Sequence, residues 1–304
     1  MAISRHQLVK ELEPGLNALF GLEYNRYDNQ HAEIYTSESS DRAFEEEVML
    51  SGFGNASVKS EGSGVAFDNA QESYSARYTH ETVALAFAIT EEAIEDNLYD
   101  RISSRYTKAL ARSMSNTKQV KAAAPLNNGL PSVDGFDSGD GVSLFNTAHT
   151  TVSGTNVKNT LTTQADLNET SLEQAMIDIS GMTDERGLRI AAKAVKMIVP
   201  SANQFQAERL MKSQGRTGTA DNDINSLASM GMIPQGYRVN NFLTDTDSFY
   251  IITDVPNGMK MFTRAPLTTA MEGDFDTGNV RYKARERYSF GVSDFRGIFG
   301  VEGA

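Results

Sequence analysis

The chain predicts an α+β fold. Strand-like and helical periodicities follow one another in mixed order, one helical run is far longer than an average globular helix, and no internal repeat is visible. Its 304 residues, 39% apolar and 22% charged, are enough for one large domain or two ordinary ones. The formal net charge of -12 repels nucleic acid and acidic membranes unless basic residues are segregated on one face. Cysteine is absent, which excludes disulfides, cysteine-ligated metals and nucleophilic thiols. The opening MAISRHQLVKELEPG carries no long apolar stretch, and no window approaches the ~20 apolar residues of a membrane span, so synthesis in the cytosol is expected.

Residues 1–40 read as an arm. A helical opening from Ser4 to Glu13 is interrupted by Pro14-Gly15, and the apolar positions Leu16, Leu19, Phe20, Leu22, Tyr24 and Tyr27 need some other surface to cover them, expected on a neighbouring subunit. From Phe44 to about Tyr78, two strand-like stretches joined by Glu61-Gly62-Ser63-Gly64 predict a long projecting hairpin, too polar to be central on both faces. Val83, Leu85, Phe87 and Ile89 alternate as a strand buried on one face, expected in the core. Thr90 then caps a helix whose stripe Ile94, Leu98, Ile102, Tyr106, Leu110 and Met114 runs on to Ala124, before Pro125. That run would reach roughly 50 Å. Further on, the patterns predict a helix over about 167–185 and a strand over 194–199. A helix over 202–213 follows, then a hairpin of Phe249–Thr253 with Met259–Thr263, and a long strand over 280–292.

No catalytic set converges, and neither a cofactor nor a metal is expected. His6, His31, His80 and His149 lack ligand spacing, and the glycines of SGFGNAS and EGSGVAF fit no phosphate-binding loop. Asp221, Asp223 and Asn225 open like a calcium loop, but Ser226 and Met232 replace its glycine and glutamate. Asp134, Asp137 and Asp140 read as a solvated turn before a cation site. Two basic rows stand out. Arg101, Arg105, Lys108 and Arg112 share one face of the long helix, and Arg281, Lys283, Arg285 and Arg287 share one face of the last long strand. Solvated or ion-paired surface is the even-odds alternative for both.

The order of arm, polar hairpin, strand, very long helix, mixed region and closing strand resembles the major capsid proteins of tailed bacteriophages, the Hong Kong-97-like fold family. The stretch GVAFDNAQESYSARYTHETVALAFAITEEAIEDNLYD is similar to the family's extended-loop return into its spine helix. The stretches LFNTAHTTVSG, VKMIVPSANQFQAERLM, DTDSFYIITDVPNGMKMFTR and RYKARERYSFGVSDFRGIFG agree. The resemblance implies an N-terminal arm over 1–40, an extended loop over 41–80, and a peripheral domain over 81–185 with its spine helix over 90–124. It implies an axial domain over 186–275 and a return strand with the tail over 276–304.

Its functional implication is a non-enzymatic shell subunit of the virion. Copies would form pentamers and hexamers around double-stranded DNA, assembled in the host cytoplasm; an encapsulin-like compartment is the alternative. Implied partners are other copies, a portal protein, a separate scaffolding protein, loosely held DNA and a decoration or cement protein, with no membrane. Lys59 is the one lysine in the loop, but with no acceptor asparagine identified, non-covalent assembly is expected. Because the family's loop lies across an adjacent subunit, acidic Asp41, Glu45, Glu46 and Glu47 are expected to meet basic Arg281, Lys283, Arg285 and Arg287 between chains. Arg101, Arg105, Lys108 and Arg112 are expected to face the packaged DNA.

Overall fold

The computed structural model describes residues 5–90, 92, 99–133, 135–215, 223–274 and 278–304, with backbone alone at 5–12 and 99–102. Its first sheet joins four strands in the order β1 (Thr36–Ser39), β10 (Met259–Gly273), β11 (Val280–Val292) and β4 (Glu81–Ile89). Its second holds β12 (Ile298–Val301), β9 (Phe249–Thr253), β7 (Ala194–Val199) and β8 (Tyr237–Val239). Two small pairs complete the strands: β2 (Phe44–Leu50) with β3 (Glu72–Thr79), and β5 (His149–Thr150) with β6 (Asn156–Val157).

Period two along β11 explains the layering. Tyr282, Ala284, Glu286 and Tyr288 are buried, while Arg281, Lys283 and Arg285 alternate with them on the exposed face. Two helices cover the buried face: α1 (Arg5–Tyr24) and α2 (Tyr99–Asn128). Leu16 and Phe20 of α1 pack with Leu110, Ala111 and Met114 of α2 and with Tyr282 and Ala284. This corrects the expected arm in two ways. The helix runs through Pro14, and Leu16 and Phe20 are covered by their own chain while Leu22 stays 75% exposed; the packing of Leu16 and Phe20 outweighs the ~3 kcal/mol that an interior proline costs a helix.

The long helix also differs from expectation. At 30 residues α2 spans about 45 Å, and it passes Pro125 to end at Asn128, where Tyr250 Oη donates to the carbonyl of Leu126. Its buried stripe is Ser103, Thr107, Leu110, Ala111 and Met114, and Tyr106 is 52% exposed. Spacing by four drifts about 40° per step at 3.6 residues per turn, so the Tyr106–Leu110–Met114 row leaves the core at its early end. Ile94, Leu98 and the side chain of Ile102 lie outside the described residues.

β4 is an edge strand that enters the core only in part: Ile89 is buried and Val83 and Phe87 pack on the core, but Leu85 is 46% exposed, and β11 is its single ladder partner among the described residues. The expected hairpin of Phe249–Thr253 with Met259–Thr263 does not form. β9 pairs with β7 and β12, whereas β10 crosses to the first sheet and pairs with β1 and β11. Residues 186–275 are therefore split between sheets. Under the second sheet lie α3 (Glu169–Ser180), α4 (Gln204–Lys212) and α5 (Ser226–Met230), with Leu172, Ile179, Leu210 and Leu227 against Met197, Phe249 and Phe299. α3 starts at Asn168, whose side chain accepts from Ser171 N in a capping box, and it ends at Ser180 instead of 185. A middle cluster of Ala122, Leu126, Phe145, Ile198, Tyr250 and Tyr288 joins the two sheets.

Candidate assembly interface

The hairpin of β2 and β3 stands on a dense anchor. Tyr78 is 2% exposed, its hydroxyl lies 2.5 Å from Ser293 Oγ, and Gly291 leaves room for its ring, since a Cβ there would fall 2.5 Å from Tyr78 Cε1. Lys260 of β10 reaches Glu47 at 2.5 Å and Glu38 at 3.2 Å. Burial opposes its charge, yet the two carboxylates hold the ammonium above its usual pKa. On the other leg, Ser73 Oγ donates to Glu185 Oε2 at 3.0 Å, and Glu185 Oε1 accepts from Arg296 at 2.6 Å. Arg186 Nη2 donates to both oxygens of Asp68 at 2.9 and 3.1 Å. Gly54 N donates to Asp68 Oδ2 at 2.7 Å; this bond, Asn69 N and Arg186 hold the Asp68 carboxyl below its ordinary pKa.

Beyond that anchor the hairpin is open. Residues 52–60 and 63–71 form no ladder, and their apolar side chains face water: Val58 and Phe67 are 98% exposed, Val65 69% and Phe53 61%. An isolated subunit does not gain from this arrangement, because such side chains are stabilised only by removal from water.

The expected charged residues fall into different states. Arg105, Lys108 and Arg112 line an exposed face of α2, and the side chain of Arg101 lies outside the described residues. Arg281 pairs with Asp274, Lys283 and Arg285 are exposed, and Arg287 is half-buried. Asp41 is exposed, whereas Glu45 accepts from Ser40 Oγ at 2.6 Å and Glu46 lies 3.8 Å from Arg77. Among the described residues none of the four acids forms an ion pair with the β11 row. Sequence reasoning missed Lys260, the partner of Glu47, although a lysine inside the apolar run Met259–Phe262 is itself a sign of a buried ion pair.

Among the described residues no group of three or more His, Asp or Glu side chains is arranged to hold a metal ion. Asp140 is occupied by His149 Nδ1 at 2.6 Å and by Ser138 Oγ, and Asp134 lies outside the described residues, as do Asp221 and the residue after it. No helix among the described residues is long and apolar enough to cross a membrane.

No curated protein matches the sequence. Among solved structures, the chain is similar to the capsid of the cyanophage P-SCSP1u at TM-score 0.55 and 12% identity, covering 89% of this chain and 86% of that one. It is similar to the capsid of Myoviridae phage XM1 at 0.54 and 13%, with 89% of each chain covered. It also resembles the virus-like particle from Pyrococcus furiosus at 0.54 and 10%, covering 95% and 98%. At these identities the likeness shows the fold. The profile described as phage capsid protein matches residues 73–301, about three quarters of the sequence, from the hairpin's return strand to the last strand of the second sheet. The chain thus belongs to the phage capsid protein family and carries the Hong Kong-97-like capsid fold.

Proposed function

We propose that the chain is the shell-forming subunit of a tailed-phage virion, acting by self-association without catalysis. The observation that carries this reading is the distal hairpin, where Phe53, Val58, Val65 and Phe67 are held away from their own core on a firmly anchored stem. Such a projection needs the surface of another copy. The outer edge of β4, which has no ladder partner among the described residues and carries an exposed Leu85, is a suitable receiver for a hairpin leg. Copies would form pentamers and hexamers that close into an icosahedral shell around double-stranded DNA, assembled in the host cytoplasm, with a portal and a separate scaffolding protein as partners and a cement protein as a further one.

In domain terms, the first sheet with α1 and α2 corresponds to a peripheral domain, and the second sheet with its helices to an axial domain. The boundary then follows the sheets, so β10 joins the peripheral domain. Arg105, Lys108 and Arg112 are proposed to face the DNA, together with Arg101, and their neutralisation should lower genome retention while empty shells still form. Between copies, Asp41 and Glu46 are proposed to approach Lys283 and Arg285, while Glu45 and Glu47 are held within the chain. An encapsulin-like compartment is the second reading, supported by the likeness to the Pyrococcus furiosus particle; the phage capsid profile favours the first.

Electron microscopy of the purified protein tests the proposal. Closed icosahedral particles are the expected result, and particles that enclose DNA separate the first reading from the second. A monodisperse monomer across the concentration range would overturn both.

A further inference from the structure

Where β10 passes the hairpin root its register with β11 slips twice, between Thr263 and Ala265 and again between Ala265 and Thr268, around Pro266. A bulge of this kind re-aims the extra residue, here Arg264. Opposite it on β11 is Arg287, paired in register with Ala265 on one side and Thr82 on the other. The Nε atoms of Arg264 and Arg287 are both buried, and both lack a hydrogen-bond partner. Neither guanidinium forms an ion pair among the described residues, in a chain with forty acidic residues against twenty-eight basic ones.

The surroundings do not neutralise them. Both charges act on His80, whose Nε2 is 2.9 Å from Ser40 Oγ and whose Nδ1 is 3.0 Å from Ser289 Oγ. Burial first, and then the charges of Arg287 and Arg264, lower its affinity for a proton, with Glu45 acting in the opposite sense. Glu45 Oε1 accepts from Ser40 Oγ at 2.6 Å, and its Oε2 lies 4.0 Å from Arg42, not from either of the two arginines. Two partly buried guanidinium groups with unused N–H donors carry a desolvation cost that an anion between them would offset, and the planar fork of arginine suits the paired oxygens of a carboxylate or phosphate.

We propose that Arg264 and Arg287, beside His80 at the root of the hairpin, form a receptor for one oxyanion, supplied either as a carboxylate by a second copy of this chain or as free phosphate. The first source rests on the self-assembly proposed above; the second does not. A filled receptor would tie the β10 bulge, β11 and the β3–β4 junction together at the point where the hairpin leaves the body. Subunit contact or phosphate would then set the hairpin's orientation.

The test compares the unassembled wild-type chain with Arg264→Gln/Arg287→Gln by thermal melting in sodium phosphate against sodium chloride of equal ionic strength. A second arm follows assembly by light scattering. If phosphate is the ligand, it raises the wild-type melting temperature and leaves that of the double variant unchanged. If a second copy supplies the carboxylate, phosphate has no effect on melting, and the folded double variant assembles at least tenfold less readily than wild type. Arg264→Lys/Arg287→Lys keeps both charges and covers the case in which the glutamine variant fails to fold; loss of the fork should still weaken the response tenfold. Should phosphate act equally on all variants and the Arg264→Gln/Arg287→Gln chain assemble normally, the receptor does not exist. A wild-type chain that never assembles rejects the shell reading, while the phosphate arm still decides on the receptor.

Discussion

Arg296 Nη2 donates to Glu185 Oε1 at 2.6 Å, and both side chains are 3% exposed, so a buried ion pair underlies the hairpin's second leg. The remaining oxygen of Glu185 accepts from Ser73 Oγ at 3.0 Å and from Val152 N at 3.1 Å. Removing one member of such a pair leaves an uncompensated charge out of water, at a cost of about 3–5 kcal/mol. Glu185→Ala is therefore expected to lower unfolding free energy by that amount in urea titration, even though Asp294 still lies 3.2 Å from Arg296. A loss below about 1 kcal/mol would show that Asp294 alone suffices.

The first helix makes an equally specific claim about the isolated subunit. Phe20 is 2% exposed, with its ring centroid 5.9 Å from Tyr24 and 6.5 Å from Tyr282. Phe20→Ala should cost about 3–5 kcal/mol, whereas Leu22→Ala, at a position 75% exposed, should stay within about 0.5 kcal/mol. Deletion of residues 1–30 should accordingly lower the melting temperature of the subunit itself. An unchanged melting temperature would mean that α1 belongs to a neighbour after all.

The sequence made the local elements visible and left their partners hidden. Alternation along 280–292 located β11 and both of its faces, because one face is buried and the other is not. The same logic failed for β9 and β10: a turn at Pro256-Asn257-Gly258 is as compatible with a crossover between sheets as with a hairpin, and only packing decides. Pro14 and Pro125 were misleading for a related reason, since a local cost of a few kcal/mol is smaller than the burial gained by continuing each helix. The hairpin could be placed from its Gly-Ser tip, but its anchors Lys260, Arg186 and Arg296 come from remote segments, and spacing cannot show them.

At the hairpin tip, stability and assembly should separate. Phe53 and Phe67 touch little of their own chain, so Phe53→Ser with Phe67→Ser should leave the urea midpoint of the monomer nearly unchanged. In a shell each ring would gain roughly 1.5–3 kcal/mol on burial, and losing two should raise the protein concentration needed for assembly at least about a hundredfold. Sedimentation velocity across a dilution series measures this. Normal particle yield from the double variant would remove the distal hairpin from the interface.

The junction of α1, α2 and β11 should make stability depend on pH in a way that two side chains oppose. His31 lies against Phe290, its backbone N–H donates to Gln119 Oε1 at 3.0 Å, and its Nδ1 is 3.0 Å from Gln119 Nε2. Burial, reinforced by the Lys118 charge and partly offset by Gln119, pushes the ring's pKa down from 6.5 to about 4. The unfolded chain therefore takes up this proton first. The contribution of His31 is complete above its unfolded value near 6.5 and is lost as pH falls toward about 4. Glu286 acts in reverse: burial raises its pKa while Lys118 at 3.3 Å and Tyr24 at 3.5 Å oppose the rise, so the folded state takes up that proton first and gains stability in mild acid. Tyr288, over which the Lys118 ammonium sits 5.2 Å from the ring centroid, and Glu81 complete the charged surroundings. His31→Gln should leave only the Glu286 contribution at this junction, so the variant should lose less stability than wild type between about pH 7 and pH 5. Glu286→Gln should do the opposite and make acidification more damaging. Urea midpoints at several pH values give both slopes, and parallel curves for wild type and the His31 variant would show that the ring titrates as if it were in water.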